Sequence, residues 1–115
     1  MSVTIYHNPR CSKSRQTLAL LEEKGIEPEI IEYLGTPPDA SQIARILSLL
    51  NLNARDIMRK NEAIYKEMGL DNKDLTETEL IEIMVQNPIL IERPIVLANG
   101  KAAIGRPPEN ILNIL

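Results

Sequence analysis

Between Val3 and Tyr33 the chain passes twice through a short β-prone stretch with one helical stretch between them, and that spacing leaves few ways to fold. Val3-Thr4-Ile5-Tyr6 is ended by the turn signal His7-Asn8-Pro9. A helix is predicted from there to Lys24, with Ser12 or Ser14 as its cap. Leu18, Ala19, Leu20 and Leu21 give it a wide apolar face, Glu22-Glu23 a solvent-facing end, and Gly25 a stop. Glu29 to Tyr33 reads as the next strand. Strand, helix and strand within about 30 residues match a right-handed parallel crossover, so the first third predicts a βαβ unit.

Leu34-Gly35-Thr36-Pro37-Pro38-Asp39 breaks this pattern, and Thr36 or Asp39 can cap a helix carrying Ile43, Ile46, Leu47 and Leu50 at helical spacing. Ile57 and Met58 then precede the basic pair Arg59-Lys60. A short helix is predicted over Glu62 to Met68, stopped by Gly69, and a further one over Thr76 to Gln86, ended by Pro88. Leu80, Ile81, Met84 and Val85 lie on one side of the latter. With no Phe or Trp in the chain, Leu, Ile and Met must build the core, and the methionines read as filler. Pro94 to Ile104 is a hairpin around Asn99-Gly100, a pair that accepts the positive φ values of a type I′ turn. Pro107 and Pro108 open a terminal helix with an apolar stripe of Ile111, Leu112 and Leu115. The expected architecture is α/β: a mixed sheet covered by helices, in one domain over residues 1–115 with a helical insertion over about 37–88.

A length of 115 residues with 43% hydrophobic side chains supports one core without disulfides or metal. No stretch approaches the roughly 18 apolar residues of a membrane span, no leader-like start is evident, and one cysteine makes no internal disulfide. The expectation is therefore a soluble, cytoplasmic protein with no membrane partner. A net charge of −3 argues against broad nucleic-acid binding. Arginines nevertheless recur near Cys11 and at Arg59, Arg93 and Arg106, a pattern suited to a small anion; each taken singly also reads as a surface ion-pair partner.

Cys11 falls on the turn between the first strand and the first helix. Unpaired N–H groups and the positive end of the helix dipole favour a thiolate there, and Arg10, Lys13 and Arg15 add cationic charge, so Cys11 is a candidate nucleophile; the alternative is a small buried hydrophobe. His7 either stabilises that thiolate, as a cation or by a hydrogen bond, or satisfies backbone groups of the turn. Asn8 either contacts a bound anion or performs ordinary turn chemistry before Pro9. Ser14 is a plain cap or, with Ser12 and Arg15, assists the thiolate. One Cys and one His make no convincing metal set, and no Gly-rich nucleotide site is present.

His7-Asn8-Pro9-Arg10-Cys11 with Ser14-Arg15, Thr36-Pro37-Pro38, Met58-Arg59-Lys60-Asn61, Tyr65 to Leu70, Asn87-Pro88, Glu92-Arg93-Pro94-Ile95-Val96 and Gly105-Arg106-Pro107-Pro108 together resemble the glutaredoxin-coupled arsenate reductase family. The resemblance runs in order through nearly the whole chain and implies a thioredoxin-like fold. It further implies that Cys11 attacks arsenate, that Arg59, Arg93 and Arg106 surround the oxyanion, that His7 tunes the cysteine, and that Pro94 is cis and faces it. Several converging cations are what a thiolate meeting a multiply charged oxyanion requires. With no second protein thiol, resolution falls to outside thiols. The resemblance implies that glutathione, as cosubstrate rather than bound cofactor, attacks the adduct and that glutaredoxin reduces the mixed disulfide. A monomer is expected.

Two other classes share the pattern. An Spx-type regulator binds RNA polymerase and uses a second cysteine three residues after the first; here Ser14 stands there, which excludes an intramolecular dithiol switch. A glutathione-dependent thiol reductase is the other, its cluster-binding version weakened because Cys11-Ser12-Lys13-Ser14 differs from the Cys-Gly-Phe-Ser of monothiol glutaredoxins. Ser12-Lys13 and Arg10 also depart from the best-known arsenate reductase pattern, which leaves another oxyanion or a glutathione adduct as substrate.

Overall fold

The computed structural model describes residues 2–115, in which the chain forms two compact units, one made of the segments up to Thr36 and from Arg93 onward, the other of Pro37–Glu92. In the first unit, β1 (Val3–His7), α1 (Ser12–Glu23), β2 (Glu29–Glu32), β3 (Ile95–Ala98) and β4 (Lys101–Ile104) are followed by a 3-10 helix over Pro108–Ile114. The four strands are ordered β2-β1-β3-β4, with β1 parallel to β2 and antiparallel to β3. This is the mixed sheet of a thioredoxin-like fold, reached by the predicted crossover: Thr4 pairs with Glu29 and Tyr6 with Ile31 across the parallel pair.

Position in the sheet explains the burial. β1 lies between two neighbours, and Val3, Ile5, Tyr6 and His7 are all buried, whereas β2 is an edge whose Glu29, Ile30 and Glu32 are exposed. Val3 and Ile5 meet Val96 and Ala98 from β3, Leu21 from α1, and Ile111 and Ile114 from the terminal helix in one apolar cluster. At roughly 1.5–3 kcal/mol per fully buried aliphatic side chain, this cluster is the main force clamping α1 to the sheet. Gly25 ends α1 in a left-handed conformation with φ +75°, as its place in the sequence suggests. The β3–β4 hairpin turns at Asn99 and Gly100 with φ of 55° and 71°, the two positive values a type I′ turn needs.

Two expectations in this unit are corrected. Neither Ser12 nor Ser14 caps α1: the N-cap position is held by Cys11, with no side-chain cap hydrogen bond, and Ser14 is fully buried within the first turn. The terminal helix winds as a 3-10 helix, in which residues three apart eclipse, so Pro108, Ile111 and Ile114 form the buried face and Leu112 points outward, 38% exposed.

The second unit is helical: α2 (Ala40–Leu50), a 3-10 turn over Ala54–Ile57, α3 (Ala63–Glu67), α4 (Glu77–Gln86) and a 3-10 turn over Pro88–Leu90. Asp39 caps α2 in a reciprocal box with Gln42, and Thr76 does the same for α4 with Glu79. Of the residues that the periodicity groups together, Ile43, Ile46, Leu47, Leu80 and Met84 are buried, while Leu50, Ile81 and Val85 are half-buried. α4 ends at Gln86 with Asn87 as its C-cap, and Pro88 opens the following turn. A short antiparallel bridge joins Met58 to Ile91, flanked by Arg59 N–H donating to the Leu90 carbonyl at 2.7 Å and Glu92 N–H to the Ile57 carbonyl at 2.7 Å. No helix among the described residues is long and apolar enough to cross a membrane.

Candidate active site

The site forms where three ends of the first unit meet: the turn from β1 into α1, the start of β3 and the end of β4. Cys11 is buried at the first of these, its own N–H donating to the Asn8 carbonyl at 3.0 Å. Burial opposes ionisation of the thiol. The opposing effects prevail and hold its pKa below the ordinary thiol value: N–H donation from Ser14, a hydrogen bond from the Arg93 side chain, N–H donation from Lys13, and the charge of Arg93. Arg106 adds a second guanidinium, with Nη2 3.7 Å from Cys11 Sγ, and its Nε donates to the Arg93 carbonyl at 2.9 Å. That bond ties the two arginine-bearing strand ends together. Both the Arg93–Pro94 and the Arg106–Pro107 peptide bonds are cis; only the first was expected from the sequence.

Behind the thiol lies a buried polar network. Ser14 Oγ accepts the Asn8 N–H at 3.0 Å and lies 2.6 Å from His7 Nδ1. Burial, and to a lesser degree the Arg15 charge, lower the His7 pKa, while Glu32 pulls it up; the net shift is downward and favours the neutral ring. The Ser14 hydroxyl thereby links the His7 ring to the loop backbone at Asn8. The lowered pKa works against the imidazolium that one reading of the sequence offered. Its hydrogen-bond partner is the Ser14 hydroxyl, a side chain rather than a backbone group of the turn.

The remaining predicted residues shape the loop. Asn8 is buried and its Oδ1 accepts the Arg10 N–H at 3.0 Å, the side-chain turn expected of Asn before Pro. Arg15 is exposed and donates from Nη1 to the Pro9 carbonyl at 2.9 Å, so it braces the loop from outside. Arg59 belongs to the second unit, where Nε meets Glu62 at 3.2 Å and Nη1 meets Glu92 at 2.8 Å. Partial burial works against its charge, and the two carboxylates outweigh that.

Contributions from Lys13 and Ser14 backbone N–H groups were foreseeable from the helix start, but not which amides would reach the sulfur. Gly105 entered the sequence reading only as part of the Gly105-Arg106-Pro107-Pro108 motif, and Thr17 not at all. A Cβ at Gly105 would lie 2.5 Å from Thr17 Oγ1 and 2.8 Å from Pro94 Cγ, so the end of β4 reaches α1 only without a side chain. Thr17 is fully buried, its hydroxyl donating to the Lys13 carbonyl at 2.8 Å. The sequence signal was Gly directly before Arg-Pro-Pro, a glycine outside any turn. Among the described residues, no cluster of three or more His, Cys, Asp or Glu side chains is placed to hold a metal ion.

The arrangement combines a nucleophile of lowered pKa with two converging guanidinium groups, which suits attack on a small oxyanion. Comparison with known proteins points the same way. The ArsC family model matches residues 6–114. The uncharacterised protein YfgD of Escherichia coli (strain K12) is 58% identical over 114 residues, covering 98% of this chain and 96% of that protein. An arsenate reductase of Neisseria meningitidis serogroup A is 54% identical over 98% of this chain and 97% of its own length. The solved structure of an arsenate reductase from Vibrio cholerae superposes with a TM-score of 0.97 at 52% identity, covering 100% of this chain and 98% of that one.

Proposed function

This chain belongs to the ArsC family, and we propose that it reduces arsenate to arsenite with Cys11 as the nucleophile. The observation that carries the reading is the Cys11 thiol of lowered pKa lying against the Arg93 and Arg106 side chains. Arsenate enters as a dianion or monoanion; the two guanidinium groups offset its charge and the thiolate's mutual repulsion, and their forked donors match paired oxygens. Arg59 is assigned as a third cation from the motif Met58-Arg59-Lys60-Asn61.

The thiolate forms a sulfur–arsenic bond as an arsenate oxygen leaves as water after protonation. Glutathione then reacts with the adduct: the S–As electron pair passes to arsenic, releasing arsenite, and Cys11 is left in a disulfide with glutathione. Two thiols supply the two electrons. Glutaredoxin reduces that disulfide and restores Cys11, since the chain has no other cysteine to do so. His7, Ser14, Asn8 and Arg15 hold the loop that carries the nucleophile. Such a cycle belongs in a reducing compartment such as the cytoplasm, with both units acting as one catalytic domain in a monomer.

The test is a coupled assay of purified protein with arsenate, glutathione and glutaredoxin. Arsenite production is expected, lost in Cys11→Ser and reduced on the order of 100-fold or more in Arg93→Ala, the scale of removing one charge-stabilising donor. Normal turnover by Cys11→Ser overturns the mechanism. Inactivity of the intact protein on arsenate with activity on glutathionylated disulfides selects the thiol reductase instead.

A further inference from the structure

Beside the loop that carries Cys11, the first unit contains a cavity of about 260 Å³ bounded by His7, Asn8, Pro9, Arg10, Glu32 and Leu34. Its lining has an unusual charge pattern. Arg10 and Glu32 both border it, both are exposed, and neither side chain makes a hydrogen bond or ion pair among the described residues, with each other or elsewhere. A cation and an anion thus border one small space without an ion pair, Glu32 also acting through its charge on the His7 ring, while Pro9 and Leu34, the latter 41% exposed, add apolar surface. The floor is firm: Asn8 and His7 are buried, Asn8 Oδ1 holds the Arg10 N–H, and the Asn8 carbonyl accepts the Cys11 N–H.

We propose that this cavity is the subsite for the amino-acid end of a zwitterionic thiol, its ammonium group meeting Glu32 and its carboxylate meeting Arg10. Separated charges of both signs select a ligand that carries both, and reject arsenate, which carries one sign only. The proposal rests on the reading that an outside thiol resolves the Cys11 adduct. Because Pro9 and Arg10 immediately precede Cys11, a ligand seated there by its polar end extends its thiol along the same loop toward the sulfur. The first unit thereby separates two tasks: Arg93 and Arg106 face the oxyanion, and the β2 side of the loop takes the reductant.

Two probes decide it: glutathione, and glutathione acetylated on its amino group, which lacks the ammonium. Cys11→Ser protein, which cannot turn over, is titrated with each by calorimetry and by the amide resonances of Leu34 and Gly35. Glutathione is expected to bind more tightly than the acetylated form by about two- to fivefold, the scale of an exposed ion pair. In Cys11→Ser/Glu32→Gln that preference disappears, and Arg10→Gln weakens both ligands alike. A preference that survives Glu32→Gln, or glutathione binding that leaves the Leu34 and Gly35 resonances unmoved, overturns the subsite. If wild-type protein releases no arsenite but the Glu32-dependent preference is present, the arsenate reading fails and the subsite stands.

Discussion

One methyl group is enough to disturb the thiol, and Gly105 is where it would do so. The contacts of 2.5 Å to Thr17 Oγ1 and 2.8 Å to Pro94 Cγ leave no room for a Cβ, and the backbone at Gly105 is not in the left-handed region, so space rather than conformation demands glycine. Thr17 bonds back to Lys13, Pro94 follows Arg93, and Gly105 precedes Arg106. A wedge here moves the groups that surround the sulfur. Gly105→Ala is expected to cost about 1–3 kcal/mol and to raise the thiol pKa, read from urea unfolding and from the pH dependence of alkylation. Adding Thr17→Ala should recover part of both. His7 makes a prediction of opposite kind. Its folded pKa lies below 6.5, so the unfolded imidazole takes a proton more readily, and stability must fall as pH drops through that range. Urea midpoints at pH 7.5 and 5.5 should therefore differ more for the wild type than for His7→Gln. The identity of the nucleophile was legible because Cys11 is alone and placed at a helix start. Ser14 was misread as a cap because a serine in a first turn usually is one; its role depends on His7, seven residues earlier, brought to it by the β1-to-α1 turn.

Elements with strong local signals formed where the sequence placed them. Asp39 with Gln42 and Thr76 with Glu79 each satisfy two helix-end donors within four residues, and Asn99-Gly100 needs only its own backbone preferences. Thr76→Ala should accordingly destabilise the protein by about 1 kcal/mol, measured by equilibrium urea unfolding, with no effect on Cys11 alkylation because α4 lies in the other unit. The terminal helix was less legible. Seven residues opened by prolines suit both an α- and a 3-10 winding, and the choice is made by the cluster under Ile111 and Ile114, which accepts side chains three residues apart. That is tertiary packing, and no local pattern encodes it.

At the scale of the molecule, the crossover and the hairpin define the sheet, but the pairing that joins them is long-range: β1 bonds to β3 across the whole of Pro37–Glu92. The sequence announced both halves and left their register, Ile5 opposite Val96, to be settled by the shared core. The same discontinuity dates the chemistry of Cys11 within folding. Its helix start lies early in the chain and supplies the Ser14 and Lys13 N–H groups, whereas Arg93 and Arg106 follow long after it in sequence, so a local helix supplies only part of what favours the thiolate. During refolding from urea, fast alkylation near neutral pH should therefore appear together with global burial and lag any helical signal; reactivity that rises with the first helical phase would contradict this. For a chain emerging from the ribosome, the consequence is a built-in delay: the full set of groups that favour the Cys11 thiolate is assembled only after the segment carrying Arg93 and Arg106 has been made.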